Sequence, residues 1–438
     1  MNFDNLRTLD DRAYAFTLSP IHVTYANTLR RLILTGVESV AFRSDMTSTG
    51  STTDVVVRRN DTPMTNEMLA DRIGLIPIHV TEPLKWNADK YRFTLKVQGS
   101  KDNTTYVKSG DFKVSEIKTI TGGGNSSIEN NSEENESNSM SIRSEAEINY
   151  LPTEMFFPPN PITNDTCLIA TLLPGSGPTQ QFIEIEGKAT KGTGREHARF
   201  SPVSQCSYEY TPDENPQRIE EMFLAWLNVA KKAGGVEKGS ERYNELRREF
   251  NTMQIKRCYK INEKSEPFSF DFTVESTGVL PVQYIVERAC EVGENMCSRY
   301  VNIHRGELPA EMTVSSADAR IIGFDFLIRG HDHTLGNLLQ TWLVENHIQG
   351  DMNPKVTYAG YSVPHPLRDE MILRIGVEDG QEATARLALA EAAKGCVDMF
   401  QKLRTSWRAA TGAPALTSGP SSKSIRRKTP KVAPTKIG

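Results

Sequence analysis

The stretch PVQYIVERACEVGENMCSRY, residues 281–300, decides the fold. Pro281 opens it, which suits a first helical turn whose backbone N–H needs no intrahelical partner. Val282, Ile285, Ala289, Val292, Met296 and Tyr300 then recur at steps of three and four residues. That spacing draws one apolar seam along a helix and suits packing against a partner helix. A second long helix carries such a seam near the other end of the chain, through Leu387, Ala390, Val397, Phe400, Leu403 and Trp407.

What precedes each seam is also alike. RAYAFTL, 12–18, alternates Tyr14, Phe16 and Leu18 with smaller or polar residues, as a half-buried strand does. YANTLRRLILTGV, 25–37, then changes to helical spacing, with Thr24 expected as its N-cap and Gly36 as its stop. Its stripe is one-sided and leaves Arg30 and Arg31 towards another surface. FSFDFTV, 268–274, is a strand just ahead of the first seam. In the second copy Ile322, Phe324, Phe326 and Ile328 alternate as a strand. HTLGNLLQTWLVENH is a helix with Leu335, Leu338, Leu339 and Trp342 on one face, and MILRIGV, 371–377, is another strand. Strand, helix, strands and a long closing helix thus occur twice.

The fold class is therefore α+β, two such units in one chain, the first interrupted by a mostly β insert. The boundaries read as 1–43 for the first part of unit one, 44–190 for the insert, 191–304 for the rest of unit one, 305–319 for a linker, 320–410 for unit two and 411–438 for a tail. Within the insert, Thr62, Pro63 and Gly74 predict a short helix with Met64, Met68 and Ile73 on its face, and Leu75, Ile76 and Pro77 run on extended. FIEIEG and CSYEY read as strands, and Ile219, Phe223, Trp226 and Leu227 mark a further helical stripe. The stretch 121–141, rich in Gly, Ser, Asn and Glu, cannot offset its ordering entropy by burial and is expected to be a disordered loop. The tail is Pro- and Ser-rich, basic and without acids, and is expected to be disordered.

Composition narrows the function. The 438 residues carry a net charge of -4, with 38% hydrophobic and 24% charged residues, the profile of an ordinary soluble globular protein. That charge argues against a chain that wraps nucleic acid over its whole surface. No run reaches the apolar length of a membrane helix, and the first residues lack a signal-peptide layout. The six cysteines are scattered, without a C-x-x-C pair, and read as buried, inert thiols in a reducing compartment.

Two segments hold candidate chemistry. His331 and His333 form an H-x-H pair that can present two imidazoles to a metal, with His365 as a third ligand. The alternative is a helix start capped by Asp332 or Thr334. KGTGREH, 191–197, could meet a phosphate, but its glycines are too few for a nucleotide loop, and a turn or protein-contact loop is the better reading. A metal-dependent hydrolase and a nucleic-acid module built on the basic tail are the rival function classes.

ANTLRRLILTGVESVAF, 26–42, MLADRIGLIPI, 68–78, KGTGREHARFSPVSQCSYEY, 191–210, and FDFTVESTGVLPVQYIVERA, 270–289, resemble hallmarks of the larger alpha-like assembly subunit of cellular RNA polymerases. HDHTLGNLLQ, 331–340, and YAGYSVPHPL, 358–367, resemble the smaller alpha-like partner. The resemblance implies two dimerisation units, normally separate chains, that pair through their long helices, and a non-catalytic platform for transcription. The seam it implies is Val282, Ile285, Ala289, Val292 and Met296 against Leu387, Val397, Phe400, Leu403 and Trp407. Partner-docking residues carried over by motif are Asn27, Arg30, Arg31, Gly74, Leu75, Ile76, Pro77, Gly194, Glu196, His197, His333, Thr334, Gly336, Asn337, Pro364, His365 and Pro366. The implied partners are two large catalytic polymerase subunits and small zinc-bearing subunits, with DNA met only through the assembled complex and no membrane. Relatives of the larger subunit often hold zinc or an iron–sulfur cluster in the insert. Here only Cys167 is in reach, so no metal or cofactor is expected. The fusion resembles polymerases of large DNA viruses of eukaryotes, which implies host cytoplasm or the virion, and the basic tail is compatible with nuclear import.

Overall fold

The structure, a computed structural model, describes residues 1–45, 54–118, 147–175, 180–232, 234–318 and 320–412. The stretch 121–141, and the tail beyond Gly412, lie outside the described residues.

Each unit is a four-stranded antiparallel sheet backed by helices. In the first, the strand order is Asn2–Thr8, Ala13–Ser19, Phe270–Ser276, Val203–Tyr210. In the second it is Met312–Ser316, Gly323–Arg329, Glu370–Gly376, Tyr358–Ser362. The connectivity is the same: a first edge strand, its hairpin partner, and the fourth strand inserted between second and third. Three of the eight strands escape the alternation signal, Asn2–Thr8, Met312–Ser316 and Tyr358–Ser362, and all three hold edge positions. Met312–Ser316 lies inside the stretch read as a linker, which shortens the true connection after the first long helix.

The helices are α1 (Val23–Thr35), α2 (Asn66–Gly74), α3 (Pro216–Val229), α4 (Glu241–Met253), α5 (Val282–Ser298), α6 (His333–Leu343) and α7 (Glu382–Thr411). Their starts correct two caps. α1 is capped by His22, whose Nδ1 accepts the Thr24 N–H, rather than by Thr24. α2 is capped by Thr65 and not Thr62, because Asn60 Oδ1 takes both the backbone N–H and the hydroxyl of Thr62. Met68 is consequently exposed, and Leu69, Ala70 and Ile73 face inward. α6 runs on as a π-turn, Val344–Ile348.

α5 and α7 pack antiparallel along their length. Trp407 Nε1 donates to the Gln283 carbonyl at 2.9 Å, Gly293 faces the Phe400 ring, and Arg404 reaches Glu294 at 3.4 Å. The two halves of one chain therefore pair with each other. A single apolar core runs through both, from Phe3 and Leu18 to Leu373, Phe400 and Trp407. Val282, Ile285, Ala289, Phe400, Leu403 and Trp407 are buried in it, and Val397 is half-buried. Leu387 is 36% exposed and does not belong to the seam. Around it the covered positions are mostly alanines, Ala385, Ala388, Ala392 and Ala393, beside Leu389. Val292 and Met296 sit on the flank of α5, with Val292 against Gly36 at the end of α1. Cys290, Gly293 and Cys297 are fully or almost fully covered, at the seam positions that large apolar side chains leave free.

α1 and α6 cross antiparallel at the centre. A shift of 310 residues maps Asn27 onto Asn337, Thr24 onto Thr334 and Arg31 onto Thr341. Arg31 Nε donates to Thr334 Oγ1 at 2.8 Å, and the equivalent pair, Thr341 and Thr24, bonds at 3.2 Å. The two contacts are mates under a pseudo-two-fold axis, one closed by a long cation and the other by two hydroxyls.

The insert has its own core around Phe42, Phe93, Phe112, Phe156 and Phe157, under a five-stranded sheet ordered Val55–Asn60, Phe182–Gly187, Tyr91–Gln98, Phe112–Lys118, Glu147–Leu151. A two-stranded ladder, Glu38–Ala41 with Thr190–Thr193, ties it to unit one. α3 and α4 form a small satellite around Phe223, Leu227, Leu246 and Phe250. No helix among the described residues is long and apolar enough to cross a membrane.

Candidate docking surface

Residues carried over as docking contacts fall into three places. The first is the junction of the two halves. Arg31 is half-buried there and not on an open face, because its guanidinium bonds Thr334 and reaches Asp332 at 3.4 Å. Asp332 caps α6 by accepting the Thr334 N–H at 2.8 Å, so of the two caps open in the sequence it is the one used. Gly194 brings the loop against α1 so closely that a Cβ would collide with the Leu34 carbonyl. The next residue, Arg195, then donates its backbone N–H to the Thr35 carbonyl at 3.1 Å and its Nη1 to the Gly330 carbonyl at 2.9 Å, and pairs with Asp369. Gly336 is buried under the Tyr361 ring, and Asn337 is half-buried on the same helix. Pro364, His365 and Pro366 form an exposed loop beside Asp369, ending on Leu367 at 89% exposure.

Asn27 and Arg30 make the second place. Arg30 Nε donates to Asn27 Oδ1 at 3.0 Å, and both line an open groove of about 630 Å³ with Ser207, Glu209 and Lys256. This groove runs along Val203–Tyr210, the outer strand of the first sheet.

The third lies where the insert meets unit one, and its organiser, Arg199, has no signal in spacing or charge. Arg199 is only 4% exposed in its side chain. Its Nη1 donates to the Phe42 carbonyl at 2.9 Å and to Ser44 Oγ at 2.6 Å, and it pairs with Asp45 at 3.5 Å. Gly74 lies directly over it, with room for no Cβ: one placed there would sit 2.6 Å from Arg199 Nη1. Leu75 and Pro77 are exposed beyond that glycine, and Ile76 is buried. His197 accepts the Arg199 N–H at 3.1 Å, and Glu196 grips Arg43 through bonds of 2.5 and 2.7 Å. The bond from Arg43 holds the Glu196 carboxyl below its ordinary pKa. Replacing Arg199 by methionine keeps the bulk and strands the Phe42 carbonyl, while the Ser44 hydroxyl keeps its bond to Asp71. The expected loss is about 3 kcal/mol, seen in urea melts as early unfolding of the insert.

The H-x-H pair is divided. His331 lies half-buried against Tyr300, whereas His333 is exposed and meets the Tyr361 hydroxyl at 3.3 Å. His365 Nδ1 accepts the Leu367 N–H within its own loop. Among the described residues no group of three or more His, Cys, Asp or Glu is placed to hold a metal ion. Burial, and then Arg195 and Arg299, push the His331 pKa below its ordinary 6.5. The sign follows: below pH 6.5 the unfolded chain takes up a proton that the folded chain refuses. His331 therefore contributes stability that is present above this pH and lost as pH falls through the lower folded value. His331→Gln is expected to flatten the pH dependence of the melting temperature on the acidic side of neutrality.

The cysteines follow burial. Cys206, Cys258, Cys290, Cys297 and Cys396 are buried, and desolvation pushes the Cys206 and Cys290 thiols up to about 12, out of reach of thiolate chemistry at neutral pH. Cys167 departs from the expected pattern, being exposed on the insert.

The architecture is twin sheets around one shared core, with polar junctions occupied by structural hydrogen bonds. Residues 15–297 and, separately, residues 324–406 match the RNA polymerase Rpb3/Rpb11 dimerisation domain. The chain belongs to that family and holds two of its domains in one polypeptide. It is 27% identical over 312 residues to the human DNA-directed RNA polymerases I and III subunit RPAC1, covering 67% of this chain and 82% of the relative. It is 24% identical over 327 residues to the DNA-directed RNA polymerase subunit Rpo3 of Methanosphaera stadtmanae, covering 69% and 98%. An 86-residue stretch is 35% identical to subunit Rpo11 of Thermococcus kodakarensis and covers 84% of that protein. Homology to alpha-like polymerase subunits makes the role one of assembly, structural rather than catalytic.

Proposed function

We propose that the paired halves seat the two large catalytic subunits of a DNA-directed RNA polymerase, with small zinc-bearing subunits alongside and DNA met only in the complete assembly. The observation that carries this is the shared core. Because one apolar body spans both units, the α1 and α6 motifs are held in a fixed relation and present a continuous surface to partners. Fusion supports the same role, since pairing within one chain does not depend on chain concentration. The fused arrangement also supports a large DNA virus of eukaryotes as the source, with assembly in the host cytoplasm or packaging in the virion.

Arg30 is the cleanest probe of docking. Reversal of Arg31 would also break its bonds to Thr334 and Asp332, whereas among the described residues the side-chain bond of Arg30 goes only to Asn27. Arg30→Glu is expected to change stability by less than about 1 kcal/mol and to cut recovery of a large subunit by about tenfold in co-purification. Full recovery by a folded variant would remove Arg30 from the docking surface.

A further inference from the structure

A cleft of about 760 Å³ opens between the end of α1, the second half of α5 and the end of strand Gly323–Arg329. Its floor is apolar, formed by Leu32, Val292 and Met296. Its rim carries the arginines Arg195, Arg288, Arg299 and Arg329 together with the carboxylates Glu38, Glu311 and Asp332, and the arginines differ in what they already hold. Arg288 is committed to Glu38 through bonds of 2.9 and 2.7 Å, and Arg195 to Asp369 and the Gly330 carbonyl. Arg299 is 63% exposed, and its ion-pair partner, Glu311, stands 3.9 Å away. Arg329 is exposed, and among the described residues its guanidinium makes no hydrogen bond or ion pair. Two cations therefore stand ready over an apolar floor.

The pseudo-two-fold axis supplies a comparison within the same molecule. Shifting Arg329 and Asp332 by 310 residues gives Ser19 and His22, at the entrance to a second cleft of about 740 Å³. That cleft is lined by Glu263, Glu266 and Glu345, and its cation, Lys264, reaches Gln349 at 3.4 Å. The mapped residues, Ser19 and His22, are not acidic, but the glutamates around them make the second cleft acidic where the first presents exposed arginines. A platform with identical ends would accept partners in either orientation, and opposite charge at the two ends enforces a choice.

We infer that the cleft bounded by Arg299 and Arg329 docks an acidic peptide segment of a polymerase partner, two carboxylates meeting the arginines and an apolar side chain resting on Leu32 and Met296. The inference rests on the platform reading for the identity of the partner. Its chemistry rests on the cleft alone. Arginine suits the task because its planar fork binds carboxylate through paired hydrogen bonds.

The test uses the purified full chain and a fluorescein-labelled peptide of alternating glutamate and leucine, followed by anisotropy. Saturable binding that weakens with salt is expected, together with a loss of about tenfold in Arg299→Glu/Arg329→Glu. Glu311→Gln, which removes the competing carboxylate, should tighten binding several-fold and keeps the inference testable if the double variant misfolds. A lysine–leucine peptide should not bind the cleft. No saturable binding, or equal affinity in wild type and both variants, overturns the inference. A short DNA oligonucleotide that displaces the peptide and binds more tightly overturns it in favour of a nucleic-acid site. Failure of the peptide to bind a chain that still recovers large polymerase subunits would sink only this inference, whereas peptide binding without such recovery would sink the platform reading.

Discussion

Trp407→Ala is expected to cost about 3–5 kcal/mol and to uncouple the two halves. Trp407 is fully buried, although it lies four residues from the end of α7. Its ring stands edge-on to Phe3 and Phe16, with centroids 5.0 and 5.1 Å away, and those phenylalanines belong to unit one. Its Nε1 bonds the Gln283 carbonyl at the start of α5. The side chain therefore joins the last helix of unit two to the first two strands and the long helix of unit one. Truncation opens a cavity at the junction itself and leaves an acceptor without its donor. Urea unfolding followed by far-UV circular dichroism should change from one transition to two. Trp407→Phe keeps most of the packing and loses the hydrogen bond, so it should cost about 1–2 kcal/mol with a single transition.

The second large effect is expected at Gly293. A Cβ there would sit 2.6 Å from Phe400 Cζ and 2.7 and 2.8 Å from its Cε1 and Cδ1, so one edge of a fully buried ring faces the glycine. Gly293→Leu should therefore cost more than the roughly 1–3 kcal/mol of a single overpacked methylene, despite the gain of about 1 kcal/mol in helix propensity. Phe400→Ala should cost about 3–5 kcal/mol on its own. Combined, the two changes should cost clearly less than their sum, because the new leucine occupies the space the phenylalanine leaves. A double-mutant cycle from thermal melts measures this coupling. Strict additivity would mean that the two residues do not share the contact described.

The repeat of strand, helix and closing seam could be read from residues alone, since it rests on hydrophobic periodicity over many turns. The positions within the seam were harder. Leu387 is large, at helical spacing, and outside the contact, whereas small residues such as Gly293, Cys290 and Cys396 are buried in it. Periodicity weighs apolar bulk, and close helix packing selects its absence. The two first edge strands escape notice for a related reason. Asn2–Thr8 and Met312–Ser316 each bury one residue, Phe3 and Met312, too few to draw an alternation.

The candidate site was legible as motifs but not as roles. Gly74 and Gly194 are explained by neighbours far away in the chain, the Arg199 guanidinium and the Leu34 carbonyl. Arg31 reads as a free helix cation until the antiparallel crossing of α1 and α6 brings Asp332 to it. Arg199 sits inside a quoted motif, yet nothing local marks it as the residue that binds the insert to unit one. Such roles are long-range, and spacing carries no information about them.

Affinity purification of the chain from its native source, with mass spectrometry of what accompanies it, tests the central claim most directly. The platform account predicts two very large polymerase subunits in amounts equal to the chain, retained at moderate salt. Recovery of the chain alone under gentle salt would contradict it.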